Sequence, residues 1–209
     1  LTHIRHSEKV FVMNKLLLIL ILTFSFQSLI KADDIRDFQI EGMSIGDSLL
    51  KYVEKAFIDK EKYFYPSSKK FGVLNINPAN NRLVDFKTFD TVQFNFVDSD
   101  PKYKIHNLRG KILYKEGIDM SKCVNKKSEI AKELEQLFDV KGRDDKKGNH
   151  RNDESGKSKV VSTFLFFTTG GRASIQCYNW SKDMKFYDNL SVAINTEEFS
   201  NWLDNEAFK

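Results

Sequence analysis

Beyond residue 32 the sequence holds two histidines, His106 and His150, and any zinc site or Ser-His-Asp triad would have to be built on one of them. His150 falls in a stretch without one large apolar residue, a poor support for catalytic geometry. His106 falls on a strand and reads as a surface residue. Ser67 and Lys70 match the S-x-x-K spacing of some serine acylases, but they precede a strand instead of opening a helix, and no S-D-N or K-T-G follows. Cys123 stands near a helix start, where the helix dipole lowers a thiol pKa, so a nucleophilic role is open to it. Cys177 is the other cysteine, and in an oxidising compartment an isolated pair favours a disulfide over two free thiols. Asp144, Asp145, Asp153 and Glu154 form a carboxylate group, but their spacing departs from a calcium loop and seven Lys/Arg residues share their segment, 141–159. No dinucleotide-binding, phosphate-loop, zinc-protease or nucleophile-elbow motif occurs. The expectation is no catalytic residue, no cofactor and no metal.

Binding chemistry is better represented. In residues 172–180, Ala173, Ile175 and Cys177 alternate with Arg172, Ser174, Gln176, Tyr178 and Trp180. Arg172, Tyr178 and Trp180 thus share one strand face, and Arg, Tyr and Trp are the types that anchor interfaces. They are the candidate partner-binding residues, unless another helix covers that face.

The elements that must position these residues can be read from periodicity. Ser44 to Asp47 (S-x-x-D) reads as a capping box opening a helix with Ile45, Leu49, Tyr52, Val53, Ala56 and Phe57 on one stripe. Strands are expected at 71–76, at 90–97 with Val92, Phe94 and Phe96 alternating, and at 103–115 with a bulge near Arg109-Gly110. A second helix is expected at about 121–139. The segment 141–159 carries seven basic and four acidic residues, which predicts a mobile loop able to touch an acidic partner weakly. Strands follow at 160–168 and 172–180 around a Gly170-Gly171 hairpin, then a turn at Asp188-Asn189 and a strand at 190–194. A last helix from Asn195 buries Phe199, Trp202 and Leu203. The order α-β-β-β-α-β-β-β-α predicts an α+β fold with a mainly antiparallel sheet. A helix plus three strands occurs twice in that order, without residue-level self-similarity.

The N-terminal sequence has the layout of a secretory signal peptide. Met13 is read as the start and residues 1–12 as an upstream extension. Met13-Asn14-Lys15 is the basic region, residues 16–26 (LLLILILTFSF) the apolar region, and Ala32 the cleavage point, so residues 33–209 form the mature domain. The apolar run is shorter than the roughly 20 residues a spanning helix needs. Net charge is +4 overall. Arg5, Lys9, Lys15 and Lys31 leave with the leader against Glu8, so the mature part is nearly neutral and has no general attraction for nucleic acid or anionic lipid.

The leader, the segment 37–50 (DFQIEGMSIGDSLL), the helix containing Cys123 and the segment 175–180 (IQCYNW) resemble the small uncharacterised exported proteins of marine bacteria. The resemblance covers most of the chain after the leader and implies export without a particular activity. A helix ahead of three antiparallel strands is also similar to the outer-membrane assembly lipoprotein family, but no lipobox cysteine is present, so outer-membrane anchoring is not carried over. The expected function is a non-catalytic periplasmic or secreted module that binds an envelope protein or a small ligand, with no nucleic acid and no stable membrane insertion once the leader is gone. The alternative is a small periplasmic hydrolase.

Overall fold

Alternation of apolar and polar residues, clearest in residues 91–97 and 172–179, favours a sheet with two unlike faces. The computed structural model describes residues 34–81 and 85–209, which belong to one compact unit; the leader lies outside the described residues. Eight strands form one antiparallel sheet: β3 (Tyr63–Tyr65), β4 (Ser68–Ile76), β5 (Thr91–Val97), β6 (Ile105–Tyr114), β7 (Val140–Asn149), β8 (Lys159–Phe167), β9 (Arg172–Asn179) and β10 (Asp188–Asn195). Their spatial order is β3-β4-β5-β6-β10-β9-β8-β7. Two four-stranded meanders therefore meet where β10 pairs with β6. A small hairpin, β1 (Gln39–Ile40) with β2 (Met43–Ser44), precedes them. Among the described residues three α-helices complete the α+β fold: α1 (Lys55–Glu61), α2 (Met120–Leu137) and α3 (Glu197–Asn205).

One face of the sheet is apolar. Leu74, Ile76, Val92, Phe94, Phe96, Leu108, Leu165, Ala173, Ile175, Val192 and Ile194 join a single buried cluster. Ile40, Met43, Ile45, Leu49 and Ile58 from the N-terminal segment and Ala131 and Leu134 from α2 cover it. Phe89 also packs here, directly against Gly110: a Cβ at that position would lie 2.5 Å from the Phe89 ring. Cys123 on α2 is bonded to Cys177 on β9, with Cα atoms 6.1 Å apart. The expected disulfide is present.

Each meander has four strands where three were expected, and the two additions are the sheet edges. β7 replaces most of the expected loop at 141–159. Its backbone pairs with β8 from Val140 to Asn149, so main-chain hydrogen bonds order it without large apolar side chains. Charge is what an edge strand needs to discourage further pairing. It is also used internally. Arg143 bonds Glu135 of α2 at 3.0 Å and Asp145 at 2.7 Å, and Lys127 of α2 lies 3.6 Å from Asp145. Only the turn after His150 remains irregular, clamped by Asp153, whose carboxylate accepts from the backbone and hydroxyl groups of Ser155 and Ser158.

Three local expectations are corrected. The helix predicted from Ser44 does not start there. Gly46 has φ +86°, and the turn at 45–48 is tied to the chain entering β6 by Gly46 N to Ile105 O (2.9 Å) and Leu49 N to Tyr103 O (3.0 Å), ahead of a single 3-10 turn at Leu49–Lys51. The Asp47 carboxylate still accepts from Ser44 N at 3.2 Å, so half of the box forms without a helix, which follows only at α1. The β6 bulge falls at His106, where Asn95 pairs with Asn107 and Phe96 with Ile105, instead of near Arg109. Asp188-Asn189 begins β10 instead of a turn; Asp188 accepts from Trp180 N at 2.6 Å and Ile118 N at 3.0 Å.

Two outcomes follow from this packing. The disulfide closes 54 residues, so a Cys123→Ser/Cys177→Ser variant should lose about 4 kcal/mol by loop-closure entropy. Denaturant unfolding measures this, and an unchanged midpoint would refute the assignment of a stabilising bridge. Limited proteolysis should cut first in the turn at 151–157. Earlier cleavage between Lys141 and Lys147 would show that β7 is not paired in solution.

Candidate functional site

The second face of the sheet is polar, yet it is not a solvent face. Residues on this side of the six central strands are Phe71, Val73 and Asn75 (β4); Thr91, Gln93, Asn95 and Val97 (β5); Asn107, Arg109, Lys111 and Leu113 (β6); Asn189, Ser191, Ala193 and Asn195 (β10); Arg172, Ser174, Gln176 and Tyr178 (β9); and Val160, Ser162, Phe164 and Phe166 (β8), as the pairing registers fix. Many of the polar members are buried: Asn95 is 0 % exposed, Asn107 1 % and Ser191 1 %.

Curvature explains this burial. Phe208, beyond α3, lies on this side, with its ring 5.4 Å from the Tyr65 ring and 4.2 Å from the Arg151 guanidinium carbon. Tyr65 belongs to the β3 edge and Arg151 to the turn joining β7 and β8. In a flat eight-stranded sheet those edges would stand about 30 Å apart at ~4.8 Å per strand. The sheet therefore curls about its polar face into a trough.

One end of the trough is plugged by α3, whose Phe199 and Trp202 form a second small core with Phe71 and Ala207. Thr196 caps α3 by accepting from Phe199 N at 3.1 Å, and Trp202 Nε1 donates to Ser68 at 3.2 Å. The Gly170-Gly171 turn lets the chain pass close to β10. Gly171 has φ +76°, and a Cβ there would lie 2.3 Å from the Asn195 carbonyl oxygen. The other end is bordered by aromatics. Tyr178 stacks on Trp180 (5.3 Å, 3°), His150 lies 4.5 Å from Trp180, and Phe186 meets Trp180 edge-on at 5.0 Å while remaining 60 % exposed.

Inside the trough, amides and hydroxyls pair sparsely. Asn107 donates to Asn195 and to the Ile194 carbonyl, Gln176 to Ser162 at 3.0 Å, Asn75 to the Tyr63 hydroxyl at 2.8 Å, and Arg109 to Ser191 at 3.4 Å. Lys111 donates to Gln93 at 3.2 Å. Buried Asn75 Oδ1, Asn107 Oδ1, Arg109 Nε and Asn189 Oδ1 have no hydrogen-bond partner. Burial, reinforced by the Arg109 charge, pushes the Lys111 amine down to about 8. Burial pushes the Tyr63 and Tyr65 hydroxyls up, so both stay protonated.

The residues singled out from sequence fall in several places. Arg172 lies in the trough beside α3 and makes a two-pronged ion pair with Asp204 (2.7 and 2.9 Å). Tyr178 and Trp180 sit at the opposite end, so the three do not form one patch. His106, at the bulge, contacts Thr196 at 3.3 Å and Glu198 at 3.6 Å under α3, and desolvation lowers its pKa. Asp144 pairs with Lys146, and Asp145 is held down to about 2 chiefly by Arg143. Lys70 pairs with Glu198 at 3.1 Å. Among the described residues no group of three or more His, Cys, Asp and Glu side chains is placed to hold a metal ion.

Sequence reading missed Arg109, Lys111, Gln93, Asn95, Asn107 and Ser191, because the polar members of an alternating strand are ordinarily assigned to solvent. The available signal was their type: this face carries amides and serines where a solvent-facing sheet carries many charges of both signs. Comparison of the chain with protein-family models, with curated protein sequences and with solved structures returns no match.

The state of Lys111 has a measurable consequence. Its folded pKa lies below the ordinary 10.5, so between about pH 8 and 10.5 the unfolded chain binds more protons and stability rises with pH. Lys111→Met should therefore raise stability at pH 7 by on the order of 2 kcal/mol. The difference from wild type should shrink by pH 10. Urea unfolding at both pH values tests this, and a destabilised variant at pH 7 would show that the amine is compensated.

Proposed function

We propose that this chain is an exported, non-catalytic binding protein whose ligand is a small polar molecule held in the trough of the curled sheet. The observation that carries this reading is a group of buried polar atoms left without partners on one concave face, among them Asn75 Oδ1, Asn107 Oδ1, Arg109 Nε and Asn189 Oδ1. Leaving such a group unsatisfied costs about 1–3 kcal/mol. They come from β4, β6 and β10 and lie on the same side of the sheet, as expected of a site built to be completed by another molecule. Tyr178 and Trp180 border this site at the end away from α3, where they offer rigid aromatic contact at low entropic cost.

The hydrolase alternative has less support. His106 and His150 are engaged at opposite ends of the trough, and no carboxylate stands on the trough face of the six central strands. Export is supported by the leader-like sequence and by the disulfide, which suits an oxidising compartment. Among the described residues no helix is long and apolar enough to cross a membrane.

Amide chemical-shift mapping with a panel of small polar compounds tests the binding reading. A saturable response is expected at Asn95, Asn107, Ser191 and Gln176. Saturable shifts confined to residues 180–187, or none with any compound, would overturn it.

A further inference from the structure

We infer that the trough holds the oxyanion group of a small molecule, a carboxylate or a phosphate, between Arg109 and Lys111. This deepens the binding reading and rests on it. The argument begins with charge. On the trough face of β4, β5, β6, β10, β9 and β8 the charged residues are Arg109, Lys111 and Arg172, with no Asp or Glu; on the edge strand β7, Asp144 and Lys146 share this face and pair with each other at 2.8 Å. Asp204 neutralises Arg172 from α3. Among the described residues, neither Arg109 nor Lys111 has a carboxylate within ion-pair distance.

Two half-buried cations two residues apart on one strand repel each other, and burial denies them water. Such a pair is retained at a cost unless an anion completes it. The geometry fits an oxyanion. Arg109 spends one Nη on Ser191 at a long 3.4 Å and leaves Nε buried and unpartnered. A guanidinium fork with a free Nε–H is suited to two-pronged bonding of a planar carboxylate or a phosphate. Lys111 adds a point charge beside it, held only by the neutral Gln93. From the β3 edge the Tyr63 hydroxyl accepts from Asn75 of this face at 2.8 Å, and burial keeps it and the Tyr65 hydroxyl neutral. Burial, and then the Arg109 charge, lower the Lys111 amine, and an anion between the two would oppose both effects.

The size of the occupant also follows. Phe208 joins the two edges of the trough through Tyr65 and Arg151. That contact, beside the Ala207 plug, brings the two edges together over the polar face and favours a small occupant over a protein helix, a nucleic-acid strand or a bilayer surface. The ligand is a small molecule, and its oxyanion lies on β6.

Titration calorimetry on the purified, disulfide-bonded protein tests this with succinate, inorganic phosphate, glucose as a neutral control and vesicles of phosphatidylglycerol. Saturable binding of succinate or phosphate is expected in the millimolar range or tighter, with the Arg109 Nε–Hε resonance shifting on addition. Arg109→Gln and Lys111→Met should each weaken that binding at least tenfold, while Lys147→Met, on the exposed edge strand, should leave it unchanged. Wild-type Arg109 side-chain resonances keep the test decisive if Arg109→Gln fails to fold. A response to phosphatidylglycerol vesicles but not to the free anions would overturn the small-molecule assignment. Anion binding that survives both substitutions, or no anion response at all, would overturn the site. A trough response to glucose alone would overturn the oxyanion while leaving the binding reading intact. No trough response to any probe in this set or in the wider panel of polar compounds would sink both.

Discussion

Curling an antiparallel sheet about a face lined with amides, serines and two uncompensated cations is the constraint on which the rest of this structure turns. A curled sheet ordinarily fills its concave side with apolar side chains. Here the apolar cluster lies on the other face, under α2 and the N-terminal segment. One end of the concave side is closed by the small core of Phe71, Phe199, Trp202 and Ala207. Between that plug and the aromatic border at Tyr178 and Trp180, the sheet buries polar atoms without satisfying all of them. Each costs stability, so stability must come from elsewhere.

The elsewhere is identifiable. The apolar face is one continuous cluster drawing on every strand from β4 to β6 and β8 to β10, and the disulfide ties α2 to β9. β9 carries Cys177 on one side and Ser174, Gln176 and Tyr178 on the other. The covalent tie that fixes α2 thus also fixes one wall of the trough. Arg172 repeats the logic with an ion pair, joining the same strand to α3 through Asp204. The chain concentrates its restraints on the strands that line the trough, an arrangement that holds first contacts in place before a ligand arrives.

Legibility from sequence divided along physical lines. The interior strands, α2 and the α3 residues Phe199 and Trp202 were readable because burial of one face imposes a period on the residues. The disulfide was readable from the count of cysteines. The edge strands were not. β7 is ordered by backbone pairing with β8 and by charges reaching α2, and neither leaves a hydrophobic period in the sequence. The helix expected from Ser44 failed because the local box was overridden by tertiary backbone bonds from residues 46–49 to Tyr103 and Ile105. The site was least legible of all. Arg172, Tyr178 and Trp180 were noticed for their residue types, whereas Arg109 and Lys111 matter because a curl, invisible in a linear pattern, turns their side of β6 inward.

That inversion changes how the charge of this chain is to be understood. A nearly neutral mature sequence suggests no preference for anions, and at long range that holds, since screening reduces surface charges to local effects within about 8–10 Å. Placement decides the matter at short range. Most Lys and Asp/Glu pairs described here lie on the exterior, as with Lys51–Asp47, Lys55–Asp59 and Lys126–Glu129, where such pairs contribute about 0–1 kcal/mol each. With those carboxylates on the surface, Arg109 and Lys111 make a local positive site on the trough face of β6 within a protein of almost no net charge. A field confined in this way cannot steer polyanions from a distance, because the exterior cancels it. It acts on a molecule small enough to enter, which is the selectivity expected of a small-molecule site and not of a charged docking surface.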